Sequence, residues 1–299
     1  MSTPGIRAVV VGDAAVDVVA RHTGPIVHGD DARAQVRLSP GGAAANTAAW
    51  LAHQRVNTTL VSRIGDDLGG AHVRAALTTA GVRCAFTVDP DAATGCVVVL
   101  VDGDGQRSML PDRGANARLR AGDLDPALLA GARHLHLSGY VLLDASSRPA
   151  GVAALAAARQ AGLTTSVDPQ AANLIADPAG FVELVRGVDL LLPNTAELAA
   201  LTGSAELSSA RLLLDAVGAV AVTAGAGGAT WIGPGVWESV PALPADCLDS
   251  TGAGDAFNAG LLAAWLAGAP PRQALLAGAR AGALAVTRVG AWPAQPSIT

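Results

Sequence analysis

The sequence predicts an α/β fold in which a parallel sheet is covered by helices on both faces. Two observations carry that expectation. Short apolar runs of β type recur along the chain, and alanine-rich runs of helical length separate them. A strand that is apolar at nearly every position is buried on both faces, as in a parallel sheet sandwiched between helices.

The elements follow in order. Strands are expected over Ile6–Gly12, Thr58–Ser62, Arg133–Ser138, Leu163–Asp168, Asp189–Pro193 and Val217–Thr223. Helices are expected over Ala43–His53, Leu68–Ala80, Arg148–Ala161, Pro178–Arg186, Thr195–Leu201, Ser208–Ala216 and Ala256–Ala267. Right-handed crossovers would place every strand C-terminus on one edge, where ligands bind in such folds. Two regions break the alternation. Val16–Leu38 carries polar β-like segments, and Cys96–Val101 with Arg107–Leu110 reads as a hairpin around Asp102-Gly-Asp-Gly105. Segments of about 16–38 and 94–111 therefore read as a small separate sheet, a lid over the main site. No linker, repeat or low-complexity tract divides the chain, so residues 1–299 read as one domain with that lid inserted.

Composition excludes several functions. Of 299 residues, 51% are hydrophobic and 15% charged, enough apolar surface for a large core. A net charge of −5 argues against general nucleic-acid binding. All 20 Lys+Arg residues are arginine. Without lysine, the P-loop, the lysine of protein kinases and Schiff-base catalysis are excluded. Any phosphate chemistry must then use backbone amides, arginine or a metal ion. Cys84, Cys96 and Cys247 are odd in number and widely spaced, which implies neither a disulfide framework nor a zinc site and fits a reducing cytoplasm. The N-terminus lacks the pattern of a signal peptide, and the apolar stretch Ala259–Ala269 is too short to span a bilayer, so neither export nor membrane contact is expected.

The strongest chemical signal is Asp249-Ser-Thr-Gly-Ala-Gly-Asp-Ala-Phe257, a glycine-rich turn that runs into a helix. Gly252, Ala253 and Gly254 let a ligand approach backbone N–H groups at a helix N-terminus, where the macrodipole favours negative charge. Asp255 lies in the first turn beside this anion hole. A carboxylate there suits proton removal from an attacking hydroxyl, although an aspartate can also serve there as a helix cap. Ser39-Pro-Gly-Gly-Ala-Ala-Ala-Asn46 places Gly41, Gly42 and Asn46 at the start of another helix, suited to a polyol. Asp13 and Asp17, after the first strand, offer carboxylates for vicinal hydroxyls or lie in a solvated turn. Asn194 and Glu197 share a helix face and carry oxygens suited to hydrated Mg²⁺, but they also match a capping box. Thr223-Ala-Gly-Ala-Gly-Gly228 is a weaker glycine-rich loop after a strand.

Taken in order, these motifs resemble the ribokinase-type (PfkB) family of sugar and nucleoside kinases. The residues that carry the likeness are Gly41-Gly-x-x-x-Asn46, Asn194-x-x-Glu197, Thr223-x-Gly225 and Asp249-x-Thr-Gly-Ala-Gly-Asp255. Ala285–Ala291 and Gln295-Pro-Ser297 are similar to the family's C-terminal region. The resemblance implies a three-layer α/β/α sandwich of ribokinase-like fold with a β lid that often forms a homodimer interface. It implies Asp255 as general base, Gly252, Ala253 and Gly254 as the anion hole, and Asp17, Gly41, Gly42 and Asn46 on the substrate. It places Thr223, Gly225, Gly228 and Gly254 on ATP, and Asn194 and Glu197 on magnesium through water. It places potassium at Asp249, Thr251, Ala285, Arg288, Gly290 and Ser297.

Two departures from ribokinases concern the substrate. The loop reads Gly41-Gly-Ala-Ala-Ala-Asn46 where ribokinases have Gly-Gly-Lys-Gly-Ala-Asn, and no substrate-binding glutamate follows Leu137-Ser-Gly-Tyr140. The expected activity is phosphorylation of a hydroxyl on a sugar or sugar-like molecule. Alternatives are a nucleoside kinase of adenosine or pseudouridine type and a 2-keto-3-deoxygluconate-type kinase, with Arg107 or Arg113 on the substrate carboxylate. A catalytically silent ligand-binding homologue is the alternative from another class. A nicotinamide-binding Rossmann fold is excluded, because Gly12 is followed by Asp13-Ala14 rather than by a glycine-rich turn.

Overall fold

The structure is a computed structural model that describes residues 5–103 and 107–293. The first half contains β1 (Arg7–Val11), β2 (Ala15–His22), β3 (Ala34–Gly41), α1 (Ala43–His53), β4 (Asn57–Gly65), α2 (Leu68–Thr79), β5 (Arg83–Asp89), β6 (Gly95–Val101) and β7 (Arg107–Asp112). The second half contains β8 (His134–Ser138), α3 (Tyr140–Leu143), α4 (Arg148–Gln160), β9 (Thr164–Asp168), α5 (Pro178–Leu184), β10 (Leu190–Leu191), α6 (Thr195–Thr202), β11 (Ala219–Thr223), β12 (Ala229–Gly233), β13 (Val236–Val240), α7 (Ala253–Leu266) and α8 (Pro271–Val286).

The main sheet has the order β13-β12-β11-β10-β9-β8-β1-β4-β5. From β5 to β11 every neighbouring pair is parallel, and β12 and β13 return antiparallel at one edge. Alternate residues of each strand feed opposite faces, as the two-residue repeat of a strand requires. Ala8 and Val10 join a core with α1, α2, α7 and α8, whereas Val9 and Val11 join a second core with α4, α5 and α6. Those two cores define three layers. The chain leaves β1 in both directions across the sheet, to β4 on one side and to β8 on the other, so a topological switch point lies between β1 and β8. Crevices at such points, beyond the strand C-termini, are where α/β sheets bind ligands.

A second sheet, in the order β3-β2-β6-β7, forms from the two segments expected to make a small separate sheet. Its inward rows include Asp17 opposite Ser39 and Val19 opposite Arg37, and its other face carries the row Leu38-Val18-Val98-Leu110. Residues 104–106, in the predicted turn, lie outside the described residues.

Other departures from expectation have local causes. The segment predicted as the helix Ser208–Ala216 is a 3₁₀ stretch over Leu207–Leu213. The Ser209 hydroxyl donates to the Ser204 carbonyl and accepts from Thr202, local bonds that compete with α-helical pairing in a short segment. The expected strand Asp189–Pro193 pairs only over Leu190–Leu191. β5, the β12–β13 hairpin and α8 were not anticipated. Among the described residues, no helix is long and apolar enough to cross a membrane.

One polar network lies inside the sheet layer. His134 bonds the Thr164 hydroxyl through Nδ1 at 2.9 Å and the Ser166 hydroxyl through Nε2 at 2.8 Å. His136 Nδ1 meets the same Ser166 hydroxyl at 2.8 Å. Burial depresses both imidazoles, His134 to about 3, with His136 adding to the effect, and His136 to about 4. The native state keeps both neutral while the unfolded chain protonates them below about 6.5, so the unfolded state binds more protons and their contribution to stability falls with falling pH. We expect the unfolding free energy of the protein, relative to a His134→Gln/His136→Gln variant, to decline as pH drops from about 6.5 towards 4. Urea titrations at several pH values check this, and comparing the two proteins cancels every other titrating group. A difference independent of pH would show that the two histidines do not titrate in this way.

Candidate active site

The site forms where the C-termini of β1, β8, β9, β10 and β11 meet the N-termini of α1 and α7. Gly252 caps α7 with φ 73°, a left-handed conformation that glycine adopts without penalty. A Cβ there would also strike Ala291. Gly254, two residues on, faces open space, so nothing in the protein blocks a ligand from the amides of this turn.

Asp255 follows, buried in the first turn of α7. Its Oδ2 accepts a hydrogen bond of 2.9 Å from Asn46 Nδ2, and Asn46 Oδ1 accepts one of 2.8 Å from Trp292 Nε1. Asn46 is thus clamped between an indole and a carboxylate, and it aims the carboxylate. Gly42 starts α1 with φ 93°, and the Asp17 carboxylate packs over the Gly41 backbone. The structure therefore brings Asp17, Gly41, Gly42, Asn46 and Asp255 together. Asp13 belongs elsewhere. Its carboxylate is paired with Arg113 at 2.8 Å, and Arg113 also reaches Asp144 at 2.9 Å. That double engagement removes Arg113 as a free group for a substrate carboxylate. Arg107 stands on β7 opposite Val101.

Sequence reasoning missed Asp168, at the end of β9. It is buried, and Asn258 on α7 donates to its Oδ2 at 2.7 Å. Asp168, Glu197 and Asp255 converge. Burial pushes the Asp255 carboxyl up to about 8, assisted by the charges of Asp168 and Asp17 and opposed by the Asn46 hydrogen bond. Burial likewise raises Asp168, and burial with the charge of Asp168 raises Glu197. Tyr140 faces the group, and burial plus the charges of Asp13, Asp255, Asp168 and Glu197 push its phenol up to about 12. Burial alone pushes Asp17 up to about 6. The signal that could have found Asp168 is its place, as the last residue of a buried strand at the ligand edge.

Asn194 and Glu197 form a reciprocal capping box. Asn194 Oδ1 accepts the Glu197 N–H at 2.9 Å, while Glu197 Oε2 accepts the Asn194 N–H at 2.8 Å and Oε1 accepts Asn194 Nδ2 at 2.7 Å. The capping box leaves each carboxylate oxygen of Glu197 a further lone pair. Among the described residues, no three acidic, histidine or cysteine side chains are grouped to cage a metal. The donor set instead fits a hydrated Mg²⁺ that takes most of its ligands from water and substrate phosphates. The mutual repulsion of Asp168, Glu197 and Asp255 is the feature such a cation would relieve.

Two cavities flank the α7 N-terminus. One, of about 620 Å³, is lined by Thr223, Gly225, Gly228, Gly254, Phe257 and Val286, among others, and its walls are largely apolar. It has the size and lining of a site for a flat aromatic ligand, with the anion-binding amides at its mouth. The other, of about 350 Å³, lies between the inner face of the small sheet and the segments 247–251 and 289–291. Asp249 links those segments, accepting from Thr251 N at 2.9 Å, Thr251 Oγ1 at 2.6 Å and Gly290 N at 2.9 Å. The Asp249 N–H meets the Val286 carbonyl and the Arg288 N–H meets the Ala285 carbonyl, so five of the six positions implied for potassium lie in one pair of linked turns. Ser297 lies outside the described residues.

An ionised Asp255 is required if it removes a proton. We expect kcat/KM to rise with pH and level off above about 8, falling roughly tenfold per unit below. Asn46→Ala, which removes the bond favouring the charged form, should move that limb to higher pH. A flat profile between pH 6 and 9 would exclude Asp255 from the role.

The relatives agree with this geometry. The pfkB family carbohydrate kinase profile matches residues 6–298. The chain is 34% identical to an ATP-dependent ribose-1-phosphate kinase of Halopiger xanaduensis, over 89% of this chain and 87% of the relative. It is 34% identical to a fructokinase of Klebsiella pneumoniae, over 96% and 95% respectively. An E. coli structure solved in complex with ATP and Mg²⁺ superposes with TM-score 0.84 at 25% identity, over 96% of this chain and 94% of the other. With the fold, the glycine turn and its neighbouring aspartate all in the expected places, the chain belongs to the pfkB family of ATP-dependent carbohydrate kinases.

Proposed function

We propose that the protein transfers the γ-phosphoryl group of ATP to a hydroxyl of a sugar-like substrate, with Asp255 as general base. The observation that carries this reading is the position of Asp255. It is a buried carboxylate, held by Asn46, directly after the open Gly254 and the turn whose Ser250 lines both cavities. The larger cavity suits the base of ATP, with Thr223, Gly225 and Gly228 on its wall. The smaller cavity suits the sugar, with Asp17 on its wall and with Gly42 and Asn46 as further proposed substrate contacts. Asp255 takes the proton of the bound hydroxyl as the oxygen attacks in line. The amides of the α7 turn stabilise the charge on the transferred group, where most of the catalysis of phosphoryl transfer resides. When bound, Mg²⁺ neutralises phosphate charge near Asn194 and Glu197.

The small sheet acts as a lid that excludes water from the reaction. Its outer row of Leu38, Val18, Val98 and Leu110 is the surface proposed for pairing with a second copy. The linked turns around Asp249 are the proposed site of potassium activation.

The test is an ADP-release assay of purified protein with ATP, Mg²⁺ and potassium across pentoses, hexoses, sugar phosphates, keto-deoxy acids and nucleosides. Release that depends on a sugar-like substrate supports the reading. ATP binding without release on any of them favours a fold kept for ligand binding.

A further inference from the structure

We infer that the substrate itself carries a phosphate, and that Arg21 and Arg37 of the small sheet hold it while a free hydroxyl faces Asp255. This inference rests on the kinase reading above and specifies its substrate class.

The smaller cavity is not chemically uniform. At its inner end stands Asp17, close to Asp255. Along the same face of β2 and β3 come Val19 with Arg37 opposite, and then Arg21. A strand advances about 7 Å in two residues, so the row of Arg37 lies about 7 Å from Asp17 and Arg21 about 7 Å further. Val99 and Val101 form the floor between them. The cavity therefore runs from carboxylate, through an apolar stretch, to two guanidinium groups.

Some arginines of the chain are held by carboxylates, and these two are not. Arg63, Arg113, Arg118, Arg186 and Arg272 each pair with a carboxylate. Among the described residues, Arg21 and Arg37 have no acidic partner, although the chain carries a net charge of −5. Arg21 faces Gln35 across the ladder, and Arg37 is the next residue on that face, so the two cations are diagonal neighbours. Like charges at that spacing repel, and an anion between them removes the penalty. Two guanidinium forks supply more donors than one carboxylate can accept, and they match the three terminal oxygens of a phosphomonoester.

Chemistry also orients such a substrate. The Asp17 carboxyl at the catalytic end accepts a hydroxyl's hydrogen bond, while the arginines attract the anion at the other end. A sugar phosphate consequently enters with its neutral hydroxyl towards Asp255. In the reaction, a new O–P bond forms at that hydroxyl and the bond from the γ-phosphorus to the bridging oxygen breaks. The hydroxyl proton passes to Asp255, and the products are a sugar bisphosphate and ADP.

The experiment compares sugar monophosphates, the corresponding free sugars and the corresponding sugar acids as acceptors for the whole protein with ATP and Mg²⁺. Phosphorylated sugars should exceed free sugars in kcat/KM by about 100-fold, and Arg21→Ala/Arg37→Ala should raise their KM by about 30-fold or more. Arg37→Lys, which keeps charge but loses the fork, should fall between the parent and Arg37→Ala, and a thermal melt confirms that each variant is folded. Free sugars or sugar acids used as well as sugar phosphates, or a KM within threefold of the parent in the folded double variant, would overturn the inference and leave the kinase reading intact. Transfer to none of the three classes, with ATP bound, would overturn both.

Discussion

Replacing Asp255 by asparagine is expected to lower kcat by roughly 10²–10⁴-fold, the range for loss of a general base, with ATP affinity retained. The substitution keeps shape and removes the carboxylate that the proposed mechanism uses as proton acceptor. The neighbouring turn stays as it is, because Gly252 and Gly254 owe their conformation to the backbone and to Ala291. Steady-state kinetics with a saturating sugar substrate, together with an equilibrium measurement of ATP binding, separates chemistry from binding. Stability should respond in the opposite sense. The Asp255 carboxyl is raised by burial and by Asp168, so charge is unfavourable there, and the neutral amide should keep or raise the melting temperature. Near-normal turnover in this variant would remove Asp255 from the mechanism.

The second large effect is on stability. Trp50 is fully buried on α1, and its Nε1 donates to the Ala291 carbonyl at 2.8 Å. Trp50→Ala should cost about 3–5 kcal/mol in unfolding free energy, the usual range for emptying so large a core site. Trp50→Phe fills most of the space and loses the indole donor, leaving the Ala291 carbonyl unpaired at about 1–3 kcal/mol. Denaturant unfolding of the three proteins orders them. A loss below about 1 kcal/mol for the alanine variant would mean that the α1–α7–α8 core is not the cooperative unit described here. Activity should fall too, since Ala291 packs on Gly252 and the next residue, Trp292, anchors Asn46.

The parts of the fold that were legible from sequence share one property. β1, β4, β8, β9 and β11 are buried on both faces; β1 and β11 are nearly unbroken apolar runs, β4, β8 and β9 bury Thr, Ser and His among their apolar residues, and the flanking helices are rich in alanine. β5 was hidden because it is an edge strand, half-buried, whose short apolar run in Arg83-Cys-Ala-Phe-Thr-Val-Asp89 is broken by Thr87 and bounded by charged residues. The β12–β13 hairpin could have been read from its turn, where Pro234-Gly235 with φ 71° at the glycine is a strong pairing signal. Pro271 in the first turn was the corresponding mark for α8.

In the site, the glycine turn and Asp255 were readable because local sequence alone determines a helix N-terminus. The roles of Asn46 and Trp292 were not, since their contact joins residues 246 positions apart. Asp168 depends on Asn258, 90 positions away, for the same reason. Asn194 and Glu197 show the converse case: of the two readings open at the level of sequence, the cap needs only residues three apart, and the structure shows that capping box.

The two cavities have a wall in common. Cys247 and Ser250 line both, and the segment that carries them leads through Gly252 into α7. A ligand in either cavity that stiffens this segment prepays the ordering cost for a ligand in the other. Thermodynamic linkage then demands reciprocity: whatever factor the nucleotide contributes to sugar affinity, the sugar returns to nucleotide affinity. Neither ligand would need to touch the other for the pair to bind cooperatively.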